Sequence, residues 1–259
     1  MSRDGYAQLV ALAEQELREL GRTIDTCVDD SEYERALLAL AHRSRALFTG
    51  FLDLAESSAP VAALVLLRPA VEINLTLRFL KTDPELHAQL WVADGEYETL
   101  KLVREFERDS ELVAKVGEPS FPDGWQQEME SFVEEVRQRA IAAGVKGVGP
   151  KGSVMPSMWS IAFEHGDLAT REAYTLAYRS LGHDVHGSSR AFQRGRFVAC
   201  EEGGVRFEEF GDAERLLGSR ALNATTFASS LCIISDPLGL DVLEQASTLK
   251  SLLLRAPAE

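Results

Sequence analysis

Basic charge is in short supply in this chain. Across 259 residues, 27 Lys and Arg face 41 Asp and Glu, a formal net charge of −14. A general nucleic-acid coat or an anionic-membrane binder needs a basic face, so the balance weighs against both and no DNA partner is expected. A small basic site on an acidic body remains open. Cysteine is scarce too. Cys27, Cys200 and Cys232 lie far apart and in no metal-type spacing, which excludes a disulfide framework and a zinc ribbon. The longest uninterrupted apolar run, Val61 to Leu67, has seven residues, against the ~20 needed to cross a bilayer. The N-terminus lacks a basic stretch followed by an apolar one. The expectation is a cytoplasmic protein with reduced cysteines and no membrane partner.

Several catalytic signatures are missing as well. No Glu-x-x-His pair occurs, so a dinuclear carboxylate centre in a helical bundle is not expected. The glycine-rich stretch 144–156 has no closing Gly-Lys-Ser/Thr and no preceding strand, so it is no phosphate loop. No Gly-x-Ser-x-Gly elbow is present. Neither a metal nor a cofactor is expected.

What the chain does have is apolar residues at helical spacing through most of its length, which predicts an all-α protein. Helices are expected at about 4–28, 31–57, 60–81 and 84–113. Further ones are expected at 125–143, 157–164, 168–192, 212–235 and 238–254. Ser31, with Glu34 three residues on, reads as a helix start. Pro69 inside the third helix should kink it or end a turn. The segment 144–156 reads as a mobile loop. One change of period, at Arg196–Phe210, predicts a β-hairpin around Glu202-Gly203-Gly204. With no internal repeat and no linker, residues 1–259 read as a single domain of about seven to nine helices with the hairpin at 196–210.

Two stretches carry chemistry. In the third helix, Arg68 and Glu72 stand four apart in an apolar segment, one turn apart on one face. A buried charge is rarely left unpaired, so they form either an internal ion pair that sets helix register or the lining of a polar pocket. The second stretch runs from Ala177 to Arg196. Arg179, His183 and His186 fall within about 60° of one another around a helix, with Tyr178 beside them. Arg179, Arg190, Arg194 and Arg196 against Asp184 make this stretch net +3 in an acidic chain. Arginine grips phosphate in a bidentate fork, and histidine moves a proton near neutral pH. Such a strip suits phosphodiester chemistry, with Arg190 and Arg194 as further anion-binding groups. The bland alternative is a set of helix-face histidines that only cap or pack.

The pairing of Arg-x-x-x-Glu (Arg68, Glu72) with a later Tyr-x-x-Leu-x-x-x-x-His-Gly (Tyr178, Leu181, His186, Gly187) resembles an uncharacterised bacterial helical family. That family in turn looks like a relative of the HEPN superfamily. The resemblance implies a helical bundle, a homodimer, and a metal-independent endoribonuclease of toxin or phage-defence type with an Arg-x(4–6)-His active site. Arg179 and His186 enclose six residues and meet that spacing. Ser180 follows the arginine where Asn, Asp or His is usual, a departure from the superfamily pattern. In this reading His186 is the general acid/base, Arg179 clamps the phosphate and Tyr178 with His183 assist. Arg68 and Glu72 would hold His186 in one tautomer. The alternative is a non-enzymatic module that binds a small anionic ligand or a protein partner through the same polar pocket.

Overall fold

Ser31 begins a helix as its sequence context demands: its hydroxyl accepts from the Glu34 N–H at 3.2 Å, and α2 (Glu32–Ala55) follows. The same device starts α1 (Arg3–Leu20), where Ser2 accepts from Gly5. Asp83 starts α4 (Pro84–Arg108), accepting from Leu86, with a proline in the first turn. The computed structural model describes residues 2–25, 31–57, 60–117, 121–179, 181, 195–199, 205–209 and 212–254. The remaining helices are α3 (Leu64–Thr82), α5 (Ser110–Val116), α6 (Trp125–Ala142), α7 (Met158–Ser160), α8 (Leu168–Glu172), α9 (Asp212–Ile234) and α10 (Leu243–Leu253), so the described residues hold ten α-helices. The protein is all-α in class. The backbone of Gly195–Ala199 also pairs antiparallel with Val205–Glu209, with Phe197 opposite Phe207. The turn expected between them, 200–204, lies outside the described residues.

The centre of the bundle is α3. Residues Ile73 to Leu77 are buried without interruption, the mark of a helix enclosed on every side. It packs against α2, α9 and α4. Pro69 neither ends nor interrupts it. The carbonyl that Pro69 deprives of a donor belongs to Val65, which is exposed, so water can serve it. Polar groups inside the bundle find partners across the chain. Asn74 donates to Ser230 Oγ at 3.0 Å, and Asn223 donates to the Phe48 carbonyl at 3.3 Å. Phe48 and Phe227 stack 4.5 Å apart. On α1, Glu14 is 3% exposed, and both its oxygens accept from Arg220 of α9, Nε at 3.0 and 3.1 Å with Nη2 adding a further contact. That partner holds the Arg220 guanidinium above its ordinary pKa.

Other expectations need correction. The fourth helix ends at Arg108, not near Val113, and Asp94-Gly95 causes no break in it. Asp94 instead restrains the loop expected to be mobile: its Oδ1 accepts from the N–H groups of Val154 and Met155, both at 2.9 Å, and from the Ser153 hydroxyl at 2.7 Å. Arg137 donates to the Gly152 carbonyl at 2.9 Å. The helices expected at 157–164 and 168–192 begin as α7 and α8, but each then widens into a π-turn, Ile161–His165 and Ala173–Tyr178. A π-turn bonds residue i to i+5 and inserts one extra residue per turn, a feature frequent at functional sites.

His87 locks α4 onto the end of α3. A carbonyl can only accept, so the contact from Nδ1 to Phe79 O at 2.8 Å places the proton on Nδ1, and the ring stacks on Phe79 at 3.8 Å. Burial pushes the His87 pKa below its ordinary value.

Two outcomes follow for stability. Replacing Glu14 by Gln strips the half-buried Arg220 of its counter-charge and should cost about 2 kcal/mol in urea unfolding at pH 7. His87 takes a proton more readily unfolded than folded, so its contribution is complete above the ordinary histidine value near 6.5 and is lost as pH falls through and below it. Wild type should therefore lose stability relative to His87→Asn, which keeps a donor for Phe79, between pH 7 and pH 5. Parallel unfolding curves for the two proteins across that range would contradict this.

Candidate functional site

Arg68 lies in the second turn of α3, one residue before Pro69, on a helix that packs against the Ala173–Tyr178 π-turn. Its side chain is half-buried. It does not pair with Glu72: among the described residues no ion pair joins the two. Arg68 Nη2 donates to the Tyr178 hydroxyl at 3.1 Å across 110 residues of chain, and the guanidinium carbon stands 4.8 Å from the centre of the Tyr178 ring. Contact with both the ring face and the hydroxyl fixes the guanidinium plane, and a cation over an aromatic face adds attraction beyond the hydrogen bond. Glu72 sits one turn further on, half-buried, its carbonyl accepting from Thr76 at 2.9 Å.

Tyr178 is the last ring in a file. Tyr174 stacks on it at 5.4 Å, Phe163 meets Tyr174 edge-on at 5.7 Å, and Trp159 stacks on Phe163 at 5.5 Å. Trp159 is 51% exposed and Phe163 44%. These four rings come from α7 and the two π-turns. Arg179, next to Tyr178, is exposed. Of the residues singled out in the sequence, the fold thus joins Arg68 to Tyr178 and leaves Arg179 open to solvent. His183, His186, Arg190 and Arg194 lie outside the described residues. No group of His, Cys, Asp and Glu able to hold a metal occurs among the described residues.

A second polar cluster was not singled out in the sequence. Arg78, nearly three turns beyond Arg68 on α3, donates from Nε to Asn74 Oδ1 at 3.0 Å and from Nη2 to Ser229 Oγ at 2.9 Å. Burial lowers its pKa. Nearby, His165 Nε2 donates to the Lys146 carbonyl at 2.9 Å and packs edge-on against Phe79. Asp167 Oδ1 accepts from the N–H and hydroxyl of Thr170 at 2.8 and 2.6 Å, bonds that hold its carboxyl below the usual range. The signal for Arg78 was in the sequence. Asn74-x-x-x-Arg78 repeats, in the same apolar helix, the spacing of Arg68 and Glu72. Asp167 carried no such signal, and the π-turn that places His165 leaves no trace in apolar periodicity.

No curated protein and no solved structure matches the chain. A family model does match residues 34–205, more than half of the chain, from the first turn of α2 to the first residue of the second strand. That span holds Arg68, Glu72, the four stacked rings and Arg78, and on this match the protein belongs to DUF5677, a family of unknown function.

Proposed function

We propose that the protein is a HEPN-like, metal-independent endoribonuclease of toxin or phage-defence type, acting as a cytoplasmic homodimer with a small β-hairpin on its surface. The observation that supports this reading best is the file of rings, exposed at its Trp159 and Phe163 end, that closes on the Arg68 guanidinium. Bases of an unpaired strand stack on exposed aromatic faces whatever their identity, and arginine holds the phosphates between them. The file delivers such a strand to Arg179, and His186 follows seven residues on in the sequence.

In the reaction, the 2′-oxygen of a ribose attacks the adjacent phosphorus. The O2′–P bond forms, the P–O5′ bond breaks, and the products are a 2′,3′-cyclic phosphate and a 5′-hydroxyl. His186 takes the 2′-proton, and the proton lost there ends on the 5′-oxygen. Arg179 clamps the phosphoryl oxygens and stabilises the charge gathering on them. Arg190 and Arg194 hold flanking phosphates, and His183 and Tyr178 assist. Arg68 keeps Tyr178 in place, and Glu72 lies one turn away to orient the imidazole. A second reading, a module that binds an anionic ligand or a partner without cutting, draws on the net charge of −14, which slows the approach of a long RNA.

Purified protein should cleave unstructured total RNA in the presence of EDTA and leave cyclic phosphate ends, while His186→Ala should lower kcat by at least about a hundredfold. If wild type and His186→Ala are equally inert, the nuclease reading is wrong. Trp159→Ala and Phe163→Ala should each raise KM about tenfold or more with kcat little changed, the cost of one base–ring stack. A loss confined to kcat would remove the file from substrate binding.

A further inference from the structure

The cluster around Arg78 opens onto a cleft of about 360 Å³ between the end of α3, the Ile161–His165 π-turn, the start of α8 and α9. It does not include Arg68 or Tyr178. We propose that this cleft binds a small phosphomonoester, with its phosphoryl group on Arg78 and Lys81 and a hydroxyl of its organic part on the Asp167 carboxylate. The inference does not depend on the protein cutting RNA.

Four observations carry it. The first is the state of Arg78. Its side chain is only 19% exposed, yet the groups that hydrogen-bond it, Asn74 and Ser229, are neutral. A guanidinium withdrawn from water normally meets an anion. Asp167 Oδ1 stands 4.0 Å from Nη1, beyond hydrogen-bond distance, and is already taken by Thr170. Arg78 and the 70% exposed Asp167 thus make only a long ion pair, and the guanidinium, which lines the cleft, has room for a closer anion.

The second is the number of cations. Lys81 lines the same cleft one turn from Arg78. A fork of guanidinium donors beside a compact ammonium suits the several oxygens and double charge of a phosphomonoester better than the single charge of one carboxylate. The third is Asp167 itself. With Oδ1 occupied and the carboxyl held ionised, its other oxygen can accept a hydroxyl proton, which explains a carboxylate at the rim of an anion site. Phe79, Ile161 and Ile233 complete the walls, and the volume falls in the range of small-molecule sites, roughly 300–1,000 Å³.

The fourth is that the cleft is built around a residue no other type can replace. A Cβ on Gly166 would lie 2.7 Å from the Ala162 carbonyl and 2.7 Å from the Thr170 side chain. That absence lets the π-turn close onto α8, with both His165 and Asp167 lining the cleft.

Isothermal titration of the full chain at low salt tests this with inorganic phosphate, ribose 5-phosphate and succinate. Ribose 5-phosphate should bind more tightly than inorganic phosphate, and succinate at least about tenfold more weakly than either. Arg78→Gln should weaken both phosphates by about tenfold or more, the loss of a charge-assisted contact. Lys81→Ala, at an exposed position, should weaken both several-fold, and it carries the test should Arg78→Gln fail to fold. Asp167→Asn should abolish the advantage of the sugar phosphate while retaining inorganic phosphate. Absence of binding by wild type would overturn the proposal, as would unchanged phosphate affinity in Lys81→Ala or succinate binding as tightly as phosphate. RNA cleavage by the same preparations is read separately, so failure of one proposal is distinguishable from failure of the other.

Discussion

A helix at the centre of a bundle cannot leave a guanidinium without a partner, and α3 carries two. Arg68 reaches Tyr178 and Arg78 reaches Asn74 and Ser229. Both need acceptors because burial removes the water that would otherwise solvate them. Meeting that need ties α3 to α9 on one side and to the π-turn segment on the other. The same two arginines therefore anchor the architecture and supply the positive charge of both candidate sites.

The π-turns distribute side chains between the two sites. In Ile161–His165, Phe163 joins the exposed rings, while Ile161 and His165 line the cleft. One widened turn thus serves two surfaces that a regular helical turn would space differently. Gly147 supports the arrangement from behind. It has φ +83°, and a Cβ there would meet the Ser160 hydroxyl at 2.7 Å, so only glycine lets the loop approach α7 and present the Lys146 carbonyl to His165.

The stability elements and the site elements were legible to different degrees. Ser31 was readable as a helix start because capping needs only three or four residues of context. Arg68 stood out because a charge in an apolar run is visible from composition alone. Its partner did not, since the nearest candidate in the chain, Glu72, is not the group it bonds. Asp94 sits inside the fourth helix with nothing in its own neighbourhood to mark a partner, yet it holds the Ser153–Met155 loop, a role created by 60 residues of separation closing to hydrogen-bond distance. Apolar spacing runs on past Asp109 and so predicts a fourth helix five residues longer than the one that ends at Arg108.

By itself the sequence determined the helical class, the caps and the interior character of α3, because these follow from spacing and from hydrogen bonds made within a few residues. It also marked Arg68 and Tyr178 as chemically notable. Only the tertiary structure decided that they touch, that four rings from α7 and the π-turns line up in one file, and that Arg78 looks into a cleft beside Asp167. The reason is physical. Capping and amphipathicity are local energies written in neighbouring residues, whereas the partner of a buried charge and the shape of a cleft are set by how distant segments pack.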